Sequence, residues 1–143
     1  MLANLNQRFT SLTDHQDGGK LLLRITFSIL MIFHGVAKFQ HGTGWIEEML
    51  ISKGLPGFIA YGVFIGEIIA PVLIILGIFT RPAAFIVAVN IVIATLMVGT
   101  GKFFTLTAVG AWGLEVESVY IFAAIVTMLL GSGRYSVVSP AYR

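Results

Sequence analysis

The chain has no cysteine and little charge. Without cysteine across its 143 residues, thiol nucleophiles, disulfides, iron–sulfur ligation and thiolate-bound haem are excluded from anything it does alone. Charged residues make up only 11% of the sequence, where a globular domain carries about 25%. The nine basic residues are scattered and never form a run, so nucleic-acid binding has no electrostatic footprint. Histidine is scarce too. His34 and His41 lie seven positions apart and no His-x-x-x-His or Glu-x-x-His pair occurs, so no metal site is expected.

What fills the chain instead is apolar: 57% of residues are hydrophobic and the mean hydropathy is +0.91. That composition predicts an all-α integral membrane protein. Crossings need about 20 residues each, and the apolar runs fall at about 21–39, 57–79, 83–99 and 116–130. The expected architecture is therefore a single four-helix transmembrane bundle over 21–134. Between the first two runs, Trp45, Ile46, Met49 and Leu50 are spaced as one apolar helical face, which predicts an interfacial helix over about 44–53. Residues 1–20 and 135–143 read as polar tails, with Gly18 and Gly19 limiting any helix in the first. Arg8, Lys20, Arg24, Arg81, Arg134 and Arg143 gather on the side of the termini, against Lys38, Lys53 and Lys102 on the other. The positive-inside bias then makes both tails cytoplasmic.

The polar residues inside the crossings are few. The run Gly57 to Phe79 holds one charged side chain, Glu67, near its middle. A charge there costs about 2.5 to 3.5 kcal/mol on insertion scales, so it needs a partner, a proton or water. Pro71 cannot donate to the Glu67 carbonyl, which predicts a local kink. In the first crossing Arg24, His34 and Lys38 share an arc of about 80°. Arg24 is expected to snorkel to the cytoplasmic headgroups. His34 and Lys38, four apart, suit either a structural salt bridge or a functional site. Asn90 sits near the middle of the third crossing and is expected to make an interhelical hydrogen bond, with Glu67 within its depth. Glu115 and Glu117 open the last crossing, where carboxylates suit the positive end of a helix; being two apart they point to different sides, so one of them faces the bundle.

These groups form a column from the outer surface to the midplane. Such a column can line a pocket where an amphipathic head such as a quinone meets a carboxylate and a histidine. It can equally be a structural network that holds the bundle or docks another subunit, or a transport path.

Arg24 with His34-Gly35 and Lys38, Glu67 with Leu76-Gly77 and Thr80-Arg81-Pro82-Ala83-Ala84, then Glu115 and the ending Gly131-Ser132-Gly133-Arg134-Tyr135-Ser136 together resemble the DoxX family of small four-helix bacterial membrane proteins. The resemblance runs from about Leu21 to Ser136. It departs after the Tyr-Ser pair, where the family commonly has an aspartate and this chain has Val137-Val138. The resemblance implies a multi-pass protein of the bacterial plasma (inner) membrane tied to redox chemistry, since the family name derives from a quinone-linked thiosulfate oxidoreductase subunit.

The expected function is thus a membrane subunit of a quinone-linked redox system with no covalent cofactor. Glu67 and His34 would be the catalytic proton carriers, and Lys38, Asn90, Glu115 and Glu117 the ligand-binding groups. The expected partners are the bilayer and a second membrane or redox protein or another copy. The alternatives are a non-enzymatic scaffold or assembly partner, and a small-molecule transporter.

Overall fold

The computed structural model describes the whole chain, Met1–Arg143, as helices joined by turns. Six helices follow in order: α1 (Leu2–Thr13), α2 (Gln16–His41), α3 (Gly44–Ser52), α4 (Gly57–Leu76), α5 (Thr80–Val98) and α6 (Glu115–Leu130). By length and composition α2, α4 and α5 can each cross a membrane. Helix α6 has 16 residues, about 24 Å of rise.

The helices α2, α4, α5 and α6 pack around a thin core of Phe27, Met31, Ala70, Ile74, Ala83, Ala84, Val87, Ala88, Ile91 and Ala124. Half of these are alanine. Small side chains let helix backbones approach closely, which is how helices associate where lipid leaves no hydrophobic driving force between them. The bulky residues point the other way: Phe33, Phe85, Phe122 and Leu129 are all exposed, as expected of a surface solvated by acyl chains.

Several local features differ from the expectations. Residues 1–20 are largely helical rather than a turn-rich tail, and α2 begins at Gln16, running through Gly18 and Gly19. Asp17 steadies that first turn by accepting the Arg134 backbone N–H at 3.2 Å. Residues 80–82, which lie between the expected crossings 57–79 and 83–99, open α5, because proline is tolerated in a first helical turn. The turn is Gly77 to Phe79, with Gly77 at φ +78° and Phe79 at φ +43°. A left-handed phenylalanine is costly. The C-terminal segment holds it: the Phe79 N–H donates to Tyr142 O at 2.7 Å and the two rings meet edge to face.

Arg24 does not snorkel. It is 2% exposed, its Nη1 donates to Ile74 O at 3.1 Å, and its Nη2 donates to Tyr135 O. The C-terminal segment, which the sequence suggested as a free tail, folds across this end through Val137 N–H to Leu76 O and Ser136 Oγ to Gly77 O. Arg81 caps α6 in the same manner, with Nη1 donating to Met128 O and Leu129 O at 3.0 and 2.9 Å. Both guanidinium groups sit on the negative ends of helices. The start of α2, the end of α4, the start of α5 and the end of α6 are thereby tied together at one end of the molecule.

Helix α4 changes pitch along its path. It is 3₁₀ over Gly57–Gly62, makes one π turn over Ile65–Ile69 and is α-helical over Ala70–Leu76. In place of a simple kink, the missing Pro71 donor is accommodated by the π turn, in which Ala70 N–H bonds to Ile65 O. The Glu67 carbonyl faces Gly35 of α2, where an added Cβ would lie 2.9 Å from that oxygen and 2.5 Å from Ile68 Cγ1. Gly35→Ala should therefore cost about 1 to 3 kcal/mol by overpacking, read as earlier thermal unfolding in detergent. Gly19→Ala, with nothing within 4 Å, should be neutral or slightly stabilising.

Candidate functional site

Glu67 lies within the π turn and is buried, 4% exposed. Its partner is Lys38. The ammonium lies 2.5 Å from both Oε1 and Oε2, a symmetric ion pair between α2 and α4. Asn90 Nδ2 from α5 reaches the same Oε1 at 3.5 Å, the outer limit of a hydrogen bond. Asn90 approaches because residue 66 is glycine: a Cβ there would fall 2.5 Å from Asn90 Cγ. Two glycines thus shape the site, Gly35 behind the Glu67 backbone and Gly66 beneath Asn90.

The pair forms part of the wall of a cavity of about 630 Å³. His34, Asn90, Glu117 and Tyr120 also line it, and apolar side chains from α3, α4 and α5 complete it. Its lining residues Ile65 of α4 and Phe85 and Ile93 of α5 are 49%, 56% and 51% exposed. Trp45, Ile46, Met49 and Leu50 of the short helix α3 also line it.

His34 reaches the cavity but makes no contact with Glu67; its ring meets Tyr120 edge to face, with centroids 5.7 Å apart. Glu117 also lines the cavity and pairs with Lys102 at 3.3 Å. Glu115 is exposed at the head of α6 and takes no part in the lining. The structure therefore brings together Glu67, Lys38, Asn90, His34 and Glu117, and leaves Glu115 outside. Tyr120 was not anticipated. It lies three residues after Glu117, on the same helical face, and that spacing was the one signal for it in the sequence.

Chemically the arrangement is an acid and a base held in contact in an apolar enclosure. Lys38 retains partial access to the cavity, its side chain 22% exposed against 6% for Glu67. The lysine can donate to a ligand oxygen without leaving its place, while Glu67 anchors it from behind.

Fold and site together define a helical membrane protein with a buried ion pair in the wall of a cavity. The chain belongs to the DoxX family, whose model matches residues 19–100. It is 38% identical over 80 residues to "Putative oxidoreductase CatD" of Bacillus subtilis (strain 168), covering 56% of this chain and 59% of that protein. The aligned part thus spans about three-fifths of that relative's length. A second relative, "Uncharacterized protein" of Haemophilus influenzae, is 32% identical over 114 residues, covering 78% of this chain and 81% of its own. No solved structure matches.

Removing one member of a buried pair strands the other charge. Lys38→Met should destabilise the bundle by about 3 kcal/mol, at the lower end for such pairs because the lysine is partly exposed. The double variant Lys38→Met with Glu67→Met should recover most of that loss. Unfolding of the wild type, the two single variants and the double variant in the same detergent gives the coupling.

Proposed function

We propose that this DoxX protein is a subunit of a quinone-linked redox system in the bacterial inner membrane, taking a lipid-soluble ligand into the cavity beside Glu67. In this reading α6 is a fourth crossing and both termini are cytoplasmic. Arg81 on α5 reaching the last carbonyls of α6 supports the return of α6 to the starting side. The excess of arginine at that end supports its orientation.

The observation that carries the reading is the Lys38–Glu67 pair in the wall of a mostly apolar cavity. A quinone head fits the residues present: Lys38 and Asn90 supply hydrogen-bond donors for a carbonyl oxygen, and the aliphatic lining suits a ring and tail. When bound, a quinone supplies two-electron, two-proton chemistry. The chain's own contribution is to orient the head and carry protons. Lys38 Nζ holds one proton and Glu67 is the group beside it that can accept or release another. His34 relays towards the outer mouth, where Glu117 and Lys102 set the local field. In this reading the electrons come from a partner redox protein. The name of the Bacillus subtilis relative supports an oxidoreductase role.

Glu67→Gln tests the proton role. The variant should fold and insert, yet quinone reduction by membranes containing it should fall at least tenfold. Unchanged reduction and binding would instead favour a scaffold, in which substitutions on an outward helix face, and not at Glu67, disrupt co-purification of a partner. Solvent extraction of the purified protein should also recover a quinone, identified by its absorbance.

A further inference from the structure

Helix α1 buries none of its residues and packs on no other helix. Its side chains are nevertheless ordered by type. At about 100° per residue, Leu2, Leu5, Phe9 and Leu12 fall within an arc of about 80°, while Gln7 and Ser11 lie opposite. The four apolar residues are 84%, 63%, 66% and 74% exposed, a continuous apolar face that water would not leave open. No acidic residue occurs in α1, and Arg8 flanks the apolar arc.

The position of α1 selects what covers that face. Only Asp14 and His15 separate it from α2, so it cannot leave the end of the bundle at which α2 begins. That end is the polar boundary of the membrane body, where Asp17 meets Lys20 at 3.8 Å and accepts from Arg134. With 12 residues and about 18 Å of length, α1 is too short to cross. A face of this size buries only a few hundred Å², roughly a third of what a specific protein interface needs. A flat helix at the boundary, by contrast, meets the same lipid that covers the outward side chain of Leu22 on α2, which is 70% exposed.

We propose that α1 is an interfacial anchor: it lies along the membrane surface on the side of the termini, with Leu2, Leu5, Phe9 and Leu12 in the acyl region and Arg8 reaching up to the lipid phosphates. The partner is the bilayer itself. The anchor sets the depth of α2 from outside the bundle, and α2 carries Arg24, His34 and Lys38.

The natural absence of cysteine makes the test clean, because any introduced cysteine is the single labelling site. Spin labels at Leu5→Cys, Phe9→Cys, Gln7→Cys and Ser11→Cys would be placed in the full chain. The protein would be reconstituted in vesicles of equimolar phosphatidylcholine and phosphatidylglycerol. Since α1 packs on nothing, these substitutions leave the bundle intact. Collisions with oxygen, which partitions into lipid, should dominate at positions 5 and 9, and collisions with a water-soluble nickel chelate at positions 7 and 11. Equal nickel access at all four sites would place α1 in water and overturn the proposal. Positions 5 and 9 shielded from both reagents would mean that protein covers the face, including a second copy, and would overturn it equally. The pattern should persist in phosphatidylcholine alone, since one arginine adds little to apolar burial; its loss there would contradict apolar anchoring.

Discussion

The contact between Lys38 and Glu67 constrains everything around it. A carboxylate in a membrane helix is tolerable only when matched, and here the match requires α2 and α4 to come together at one depth. Gly35 permits that approach by removing a Cβ from the path of the Glu67 carbonyl. Pro71 lacks the N–H that would continue the helical ladder, and the π turn just before it holds the buried Glu67. Gly66 makes room for Asn90. The acid–base pair, two glycines, a proline and an asparagine are thus one arrangement seen from three helices.

The two ends of the bundle do different work. At the end of the termini, Arg24 and Arg81 each cap a helix through backbone carbonyls, and the C-terminal segment seals the cap. That end is closed and uses its cations for structure. The other end carries a short helix, a 3₁₀ stretch and a loop pinned by Trp112 Nε1 donating to Phe103 O at 2.8 Å. Polar groups that face a cavity, namely His34, Lys38, Glu67, Asn90 and Glu117, all belong to this half.

Much of this was legible in the residues. Helical class, membrane setting and the short helix near 44–52 followed from composition and apolar spacing, because a chain in lipid must keep its apolar surface outward and satisfy its backbone within each helix. The family could be read from the order of its motifs. Glu67 stood out as a lone charge in an apolar run, and Lys38 was one of its two candidate partners on α2. What could not be read was the fate of individual long side chains. Snorkelling and capping use the same arginine, and only the folded path of residues 132–143 decides between them for Arg24. The π turn was hidden as well, since a proline announces a lost hydrogen bond without saying how the helix repairs it. Glu115 and Glu117 needed the exact start of α6 to be told apart, and helix starts are the least determined part of a sequence reading.

The pairing of Glu67 with Lys38 has a direct spectroscopic readout. Infrared difference spectroscopy of the resting protein in bilayers, wild type minus Glu67→Gln with carbon-13-labelled glutamate, measures the state of the carboxyl group. An ion pair should give a carboxylate stretch that disappears with the substitution. A protonated carboxyl carbonyl stretch at Glu67 in the resting protein would contradict it.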